Sequence, residues 1–187
     1  MARENQRFTV PWQPVAPLKI HLEFVNADLH EKEDSQHVPG LQKRSEAARE
    51  WADARRQTLL DAKARFFSET VVSHASKLSL IRHAQSLGRQ VVSQVVSLND
   101  PQRLLARVSQ RVGEGGHHVP ASRILGRYPR TMGHLGQAVR IADLAFLCDA
   151  AEVEQGAHRL VALCEKARTT LRVDELPLWA TAMLAAR

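Results

Sequence analysis

Short runs of alternating apolar residues and longer runs with helical spacing follow one another along this chain. Four of the short runs predict β-strands, namely Ile20 to Val25, Arg65 to Glu69, Gln90 to Leu98 and Leu144 to Cys148. Strands that alternate with helices favour parallel pairing, with the connecting helices packed on both faces of the sheet. The pattern therefore predicts one α/β domain over residues 1–187, built on a mainly parallel sheet.

The first two long helices have recognisable ends. Ser45 predicts the start of the longest helix, over residues 46–64, because a serine hydroxyl caps free backbone N–H groups. Gly88 predicts the end of a helix from about Ser76 to Leu87, because glycine adopts the left-handed conformation that closes many helices. Residues 34–40 read as a loop.

The second half of the chain is predicted to be largely helical. Asn99-Asp100-Pro101 marks a helix start, since an aspartate can cap it and proline suits its first turn. Pro129 predicts an interruption in the helical stretch that follows. Residues 152–187 predict a helical C-terminal extension, broken at Leu176-Pro177 and followed by one more short helix.

Composition narrows the class of protein. The 187 residues are 44% hydrophobic and 25% charged, which excludes intrinsic disorder, and no apolar run approaches the length of a membrane span. The N-terminus lacks the apolar segment of a secretory signal, so we expect a cytoplasmic protein without a membrane partner. Cys148 and Cys164 are too few for a disulfide framework and predict buried thiols.

The net charge of +6 is carried mostly by arginine, with 20 Arg and 6 Lys. Arginine suits phosphate recognition because its planar fork donates paired hydrogen bonds. An arginine-rich chain can bind nucleic acid, bind nucleotide phosphates or reflect codon bias in a GC-rich genome, and the charge alone does not choose among these. Nucleic acid is not favoured as a partner, since arginine and aromatic residues do not interleave on any predicted strand and no recognition motif occurs.

Polar residues follow two of the predicted strands. Asp28 lies in the polar turn after the first strand, and Glu69 and Thr70 end the second. Ligands of parallel sheets bind at these carboxyl ends. Four arginines flank the glycine-rich connection over residues 113–120, namely Arg107, Arg111, Arg127 and Arg130. Acids at strand ends together with an arginine-rich lid suggest phosphoryl transfer.

Four strings carry a resemblance to a known family. FVNADL, SETVVSHASKLSLI, DPQRLLARVSQRVGEGGHHVP and RYPRTMGHL occur in the order found in zeta-toxin-like proteins, between Phe24 and Asp149. This family consists of P-loop small-molecule kinases. The resemblance implies a three-layer P-loop kinase-like fold, ATP and Mg²⁺ as cofactors, and transfer of phosphate to a hydroxyl of a UDP-amino-sugar type substrate. It also implies a possible antitoxin-like protein partner.

The resemblance also assigns roles to individual residues, and none of them is a metal ligand. Asp28 matches the catalytic base, and Arg111 and Arg127 match catalytic arginines of the lid. The substrate-binding residues it implies are Asn26, Glu69, Thr70, Ser73 and His74. The nucleotide and lid residues it implies are Arg107, Gly115, Gly116, His117 and Arg130.

One element of the family pattern is absent from this sequence. No GxxGxGKS/T phosphate loop occurs, and no glycine precedes Gly40. Since the strand leading into that loop is central in such kinases, we expect a gap in the sheet. Arg7 to Val10 could substitute as a strand, the remaining strands could close up, or the domain could be marginally stable. Two functions stay open: a zeta-toxin-like kinase, or a non-catalytic remnant that binds a sugar nucleotide or an antitoxin-like protein.

Overall fold

Six strands and six helices occur among the residues that the computed structural model describes, which are 22–113, 120–151, 158–166 and 168–185. In chain order they are β1 (Glu23–Val25), α1 (Ala27–Glu33), α2 (Leu41–Asp61), β2 (Phe66–Ser68), α3 (Ser76–Ser86), β3 (Val92–Ser97), α4 (Pro101–Gly113), α5 (Ala121–Ile141), β4 (Leu144–Asp149), β5 (Arg159–Glu165), β6 (Arg168–Leu171) and α6 (Leu178–Ala185). The fold is mixed α/β, as the sequence predicts.

The strands form two sheets. β1 pairs with β2 in parallel, with Phe24 opposite Phe67. The second sheet has the order β3-β4-β5-β6, in which β3 and β4 are parallel and the other two pairs are antiparallel. Parallel pairing therefore accounts for two of the four strand pairs described, which is less than the mainly parallel sheet predicted.

The prediction of a helical segment over residues 152–187 is wrong for β5 and β6. These two strands form a hairpin that turns at Lys166, whose φ is +51°. The apolar run of β5 fits a helix and a buried strand equally well, and Val161, Ala162 and Cys164 are in fact buried within a sheet. The short helix predicted after Leu176-Pro177 is confirmed as α6.

Three further boundaries differ from the sequence prediction. A helix, α1, replaces the turn expected after β1, whereas residues 34–40 contain neither helix nor strand, as predicted. α2 begins at Leu41 instead of after Ser45, whose hydroxyl donates to Glu31 at 2.7 Å and so joins α2 to α1. α5 continues through Pro129. Proline has no N–H to donate to the carbonyl of Leu125, four residues earlier, but Leu125 is exposed, so water can reach this side of the helix.

The bounds predicted for α3 and the start predicted for α4 are confirmed. Gly88 follows α3 with φ of +73°, the left-handed conformation expected of a closing glycine. Asp100 Oδ1 accepts a hydrogen bond from the Gln102 backbone N–H at 2.8 Å, in the first turn of α4. The two buried cysteines are confirmed as free thiols.

The helices α2, α3, α5 and α6 form one layer. α2 packs Ala52 and Leu59 on Val25 of β1, while α5 and α6 contribute Val139, Trp179 and Met183 to the core around β3, β4 and β5. α3 joins these two groups, because Gln57 of α2 contacts His83 at 3.2 Å and Gln85 donates to the Ile141 carbonyl at 2.6 Å. In the part of the chain that the structure describes, this layer covers one face of the sheets, whereas the sequence predicted helices on both.

The opposite face carries apolar side chains that are partly open to solvent. Phe67 is 37% exposed, Val92 50% and Val96 42%. Phe24 lies beside Phe67 on this face, with the ring centroids 5.4 Å apart. The two faces of the described sheets are therefore unequal, one closely covered by helices and one partly open.

Candidate functional site

A cleft of about 420 Å³ opens between α5 and the loop that follows β2. Its walls are formed by Ser73 and His74 from the loop, and by Arg123, Gly126, Arg127 and Arg130 from α5. The loop turns tightly, since the Ser73 backbone N–H donates to the Val71 carbonyl at 2.9 Å. The cleft therefore lies at the carboxyl end of β2, where the sequence placed the site.

Helical geometry explains how three arginines line one cleft. Arg123, Arg127 and Arg130 are four and three residues apart, a spacing that places side chains on one face of a helix. Arg127 is half-buried, whereas Arg123 and Arg130 are exposed. Gly126 leaves the middle of this face open, because a Cβ built there has no neighbour within 4 Å. The α5 wall is therefore strongly positive and sterically accessible.

A second polar group lies at the carboxyl ends of β1 and β2. The Asn26 side chain caps α1, accepting hydrogen bonds from the backbone N–H groups of Asp28 at 2.8 Å and Leu29 at 3.2 Å. Its Nδ2 donates to Glu69 Oε2 at 2.9 Å. One asparagine therefore fixes both the Glu69 carboxylate and the first turn of α1, which carries Asp28.

A network of charged side chains holds the loop between Glu69 and α3. Arg56 of α2, only 3% exposed, donates to Ser68 Oγ at 3.0 Å and forms an ion pair with Asp53. Lys77, in the first turn of α3, donates to the same Asp53 carboxylate oxygen at 2.6 Å. Burial raises the pKa of Asp53, but the hydrogen bonds from Lys77 and Arg56 outweigh it and bring the pKa below its ordinary value. Both ends of the loop are therefore attached to α2.

The opposite wall is attached to the larger sheet. The Tyr128 hydroxyl donates to the Leu98 carbonyl, just after β3, at 3.3 Å. At the end of β4, Asp149 Oδ1 accepts a hydrogen bond from the Trp179 indole N–H at 3.0 Å. α5, which carries the three arginines, is thus bonded to the end of β3, and α6 is bonded to the end of β4.

The structure brings several of the predicted site residues together. Ser73, His74, Arg127 and Arg130 line one cleft, and Asn26 contacts Glu69 directly. Asp28 lies two residues after Asn26, in the first turn of α1, and Thr70 is exposed in the loop between the two groups. The Asn26 side chain, predicted to bind substrate, bonds Glu69 and the first turn of α1, and its substrate-binding role stays a prediction. Arg123 was missed, although its helical spacing to Arg127 and Arg130 is readable from the sequence.

The remaining predicted lid residues are not described at side-chain level. Arg107 and Arg111 lie in α4, but their side chains are outside the described part of the structure. Gly115, Gly116 and His117 also lie outside the described residues. Their predicted roles therefore stay predictions.

The side chains that line the cleft suit the oxygens of a phosphate group better than they suit a triphosphate with its magnesium ion. Three guanidinium groups with a serine and a histidine supply donors for an anionic ligand. Within ranges 22–113, 120–151, 158–166 and 168–185, no group of three or more His, Cys, Asp or Glu residues comes together to hold a metal ion. The loop after β1 offers Asn26 and a helix start without any glycine, which differs from a phosphate-cradling loop.

Comparison with protein families, curated proteins and solved structures gave no match to this chain. Across the described residues, every helix falls short of the length or the apolar character that crossing a bilayer requires.

Proposed function

We propose that the domain is zeta-toxin-like and that its site binds a phosphorylated small molecule of the sugar-nucleotide type. The observation that carries this proposal is the row of Arg123, Arg127 and Arg130 that lines one cleft with Ser73 and His74. Guanidinium groups bind phosphates through paired charge-assisted hydrogen bonds. The four zeta-toxin-like strings of the sequence support the same ligand class.

The strand-end group supplies the hydroxyl side of the proposed site. Asp28 would accept the proton of the ligand hydroxyl, the role that the zeta-toxin resemblance assigns to it. Glu69, held through Oε2 by Asn26, would accept a hydrogen bond from a sugar hydroxyl through Oε1. The loop containing Thr70 connects this acidic side to the arginine-lined side, so one ligand with a sugar and a phosphate matches both.

ATP and Mg²⁺ are the cofactors that the resemblance implies, and ATP would supply the transferred phosphoryl group. The arginines suit the phosphates of ATP, whereas the sequence contains no GxxGxGKS/T loop to hold the triphosphate. We therefore expect the 187-residue chain to bind the sugar nucleotide without turning over ATP.

Calorimetric titration with a UDP-amino sugar, and separately with Mg-ATP, tests this proposal. Arg127→Ala should weaken sugar-nucleotide binding about 10- to 100-fold, because a hydrogen bond to a charged group is worth about 1.5–3 kcal/mol. Arg82→Ala, at an exposed arginine of α3 outside the cleft, is the control and should leave the affinity unchanged. Binding should also weaken with added salt.

A matched pair of glycine variants tests the place of binding without removing a charge. Gly126 and Gly133 both lie on α5, and a Cβ at either has no neighbour within 4 Å. Gly126→Leu should fill the cleft and abolish binding, whereas Gly133→Leu should leave it intact. Equal affinity of Arg127→Ala and the unaltered chain, or of the two glycine variants, would contradict the proposed site. Phosphate transfer from ATP to the sugar would contradict the expected lack of turnover and favour the kinase.

A further inference from the structure

The cleft between α5 and the loop after β2 carries positive charge that no lining residue balances. Arg123, Arg127 and Arg130, the arginine row, contribute three guanidinium groups, and none of the described residues that line the cleft is a carboxylate. Like charges gathered in this way repel one another unless an anion lies among them. The cleft therefore favours a phosphate-like anion between its walls.

A serine hydroxyl lies in the opposite wall of the same cleft. Ser73 belongs to the loop after β2, which is attached to α2 at both ends, through Ser68 and Lys77. α3, which follows this loop, is bonded to α5 through Gln85 and the Ile141 carbonyl at 2.6 Å. The wall with the hydroxyl and the wall with the arginine row are therefore held facing each other.

We propose that Ser73 is a phosphorylation site, and that its phosphate is held by the arginine row and blocks the cleft. The modification site follows from the cleft alone, whereas its effect on a sugar nucleotide rests on the proposed function. In the transfer, the Ser73 oxygen bonds to the terminal phosphorus of a nucleoside triphosphate, the bond from this phosphorus to its bridging oxygen breaks, and the nucleoside diphosphate leaves. The hydroxyl proton passes to solvent. A separate kinase would hold the donor, because this sequence has no GxxGxGKS/T loop.

A phosphate on Ser73 would match its surroundings in charge and in hydrogen bonding. A serine phosphate carries a charge of about −1.5 to −2 at neutral pH and three acceptor oxygens, and opposite an arginine cluster it forms charge-assisted hydrogen bonds. Ser73 also precedes the start of α3, where Ala75 provides no side-chain cap and the first turn contains no acid. The positive end of this helix dipole adds to the attraction.

Attachment to the wall would make the phosphate an effective competitor of a free ligand. A group held by a short tether has an effective concentration in the mM range. A free ligand would have to displace it, and would meet an arginine row whose positive charge is largely neutralised. Phosphorylation of Ser73 would therefore block ligand binding.

The position of Ser73 distinguishes it from other serines nearby. Ser76 and Ser79 of α3 are exposed, but neither lines the cleft. A phosphate on either would remain in solvent, away from the arginine row. Ser73 is half-buried, and its neighbours Val71 and His74 are exposed, so a kinase can reach the loop.

The full chain with phosphoserine introduced at position 73 by genetic code expansion tests the arginine contact without any ligand. In phosphorus NMR, the pKa of this phosphate should lie about one pH unit below that of a phosphate placed on Ser79, because nearby positive charge favours the more ionised form. Arg127→Ala in the phosphorylated chain should remove most of this difference, whereas Arg82→Ala on α3 should preserve it. Equal pKa values at the two positions would overturn the proposal.

Calorimetry then tests the effect on the proposed ligand. Phosphate on Ser73 should weaken binding of a UDP-amino sugar at least about 100-fold, since both need the arginine row, whereas phosphate on Ser79 should change it less than about twofold. Equal binding by the two phosphorylated chains would contradict the blocking role. If the unmodified chain binds no sugar nucleotide, the proposed function fails, and the NMR comparison still decides the arginine contact. If phosphoserine at position 73 prevents folding, Ser73→Asp replaces it, with an expected loss of about tenfold because a carboxylate carries less charge.

Phosphopeptide mapping of the protein purified from its own cells, in growth and in stationary phase, shows whether the site is used. Phosphate on Ser73 is the expected result. Phosphate confined to Ser76 or Ser79, or none on this segment in either phase, would overturn the assignment.

Discussion

The two sheets of this molecule are stabilised in different ways. Among the described residues, the β3–β6 sheet shares a buried apolar cluster of ten with α5 and α6, including Leu147, Val161 and Trp179. In the same part of the chain, the β1–β2 sheet has a cluster of three, Val25, Ala52 and Leu59, together with charged contacts. Among these, Arg55 donates two hydrogen bonds to Glu23, at 2.5 and 2.7 Å.

This difference divides the candidate site into two halves. Arg123, Arg127 and Arg130 belong to a helix packed on the larger cluster, so the side of the site proposed to bind phosphate has a rigid support. Asn26, Glu69 and the loop to Ser73 belong to the smaller sheet. We therefore expect the sugar side of the site to be more sensitive to substitution and to open more readily than the arginine side.

The largest expected effect comes from truncating the apolar core of each sheet. Leu147→Ala should lower the free energy of unfolding by about 3–4 kcal/mol, because Leu147 is fully buried in the larger cluster. Val25→Ala, in the smaller cluster, should lower it by about 2 kcal/mol, since it removes only two methyl groups. Urea unfolding followed by circular dichroism measures both values.

Amide exchange then shows whether the two sheets unfold separately. Val25→Ala should accelerate exchange in α2 and leave β4 unchanged, whereas Leu147→Ala should accelerate both. Equal acceleration in α2 and β4 for Val25→Ala would mean that the sheets form one cooperative unit. In that case the distinction between a rigid and a weaker half of the site would be wrong.

A smaller effect is expected from the charged network that holds the loop. Arg56→Met should lower the free energy of unfolding by about 1–3 kcal/mol, because it leaves Ser68 and Asp53 without their buried donor. It should also weaken sugar-nucleotide binding, since the loop that carries Ser73 and His74 loses an attachment. Lys77→Met, which removes the more accessible partner of Asp53, is the control and should cost less. An equal loss for the two variants would contradict a special role for the buried arginine.

Much of the fold could be predicted from local sequence. β3, β4, the end of α3 and the start of α4 followed from short apolar runs, Gly88 and Asp100-Pro101, because these signals act within a few residues. β5 could not be distinguished from a helix, since its strand character depends on β4 and β6 on either side of it. Likewise, the start of α2 depended on the contact of Ser45 with Glu31 of α1, which local spacing does not contain.

The site was predictable to the extent that it follows strand ends and motif order. Ser73, His74, Arg127 and Arg130 came from these signals and do line one cleft. Arg123 needed only helical spacing, but the predicted interruption at Pro129 obscured the continuous face of α5. The hydrogen bond from Asn26 to Glu69 could not be derived from the sequence, because the two residues lie 43 positions apart.

Substitution of Asn26 separates its capping of α1 from its hydrogen bond to Glu69. It should lower the free energy of unfolding by about 1 kcal/mol or less. Asn26→Asp keeps a capping oxygen for α1, so the helix and the free energy of unfolding should change little. It removes the donor to Glu69 and places two carboxylates together, which should displace Glu69 and weaken sugar-nucleotide binding about tenfold. Glu31→Gln, whose contact with Ser45 lies elsewhere on α1, is the control. Unchanged affinity in Asn26→Asp would show that Glu69 does not contact the ligand.

The smallest effect is expected at low pH, where an acid of each sheet titrates. Hydrogen bonds from the Val91 backbone N–H and the Gln85 side chain lower the pKa of Asp143, at the amino end of β4. The hydrogen bond from Arg55 similarly lowers the pKa of Glu23 in β1. A lowered folded-state pKa stabilises the protein above the unfolded-state values of about 3.9 for Asp and 4.3 for Glu, and this contribution is lost as the pH falls through the folded pKa.

Asp143→Asn should therefore flatten the fall in the free energy of unfolding below about pH 4. Glu23→Gln should do the same chiefly for exchange in α2, if the two sheets are stabilised separately. Urea unfolding and amide exchange between pH 2 and pH 6 on the three proteins measure both effects, and a parallel fall in all three would assign the acid sensitivity to other carboxylates.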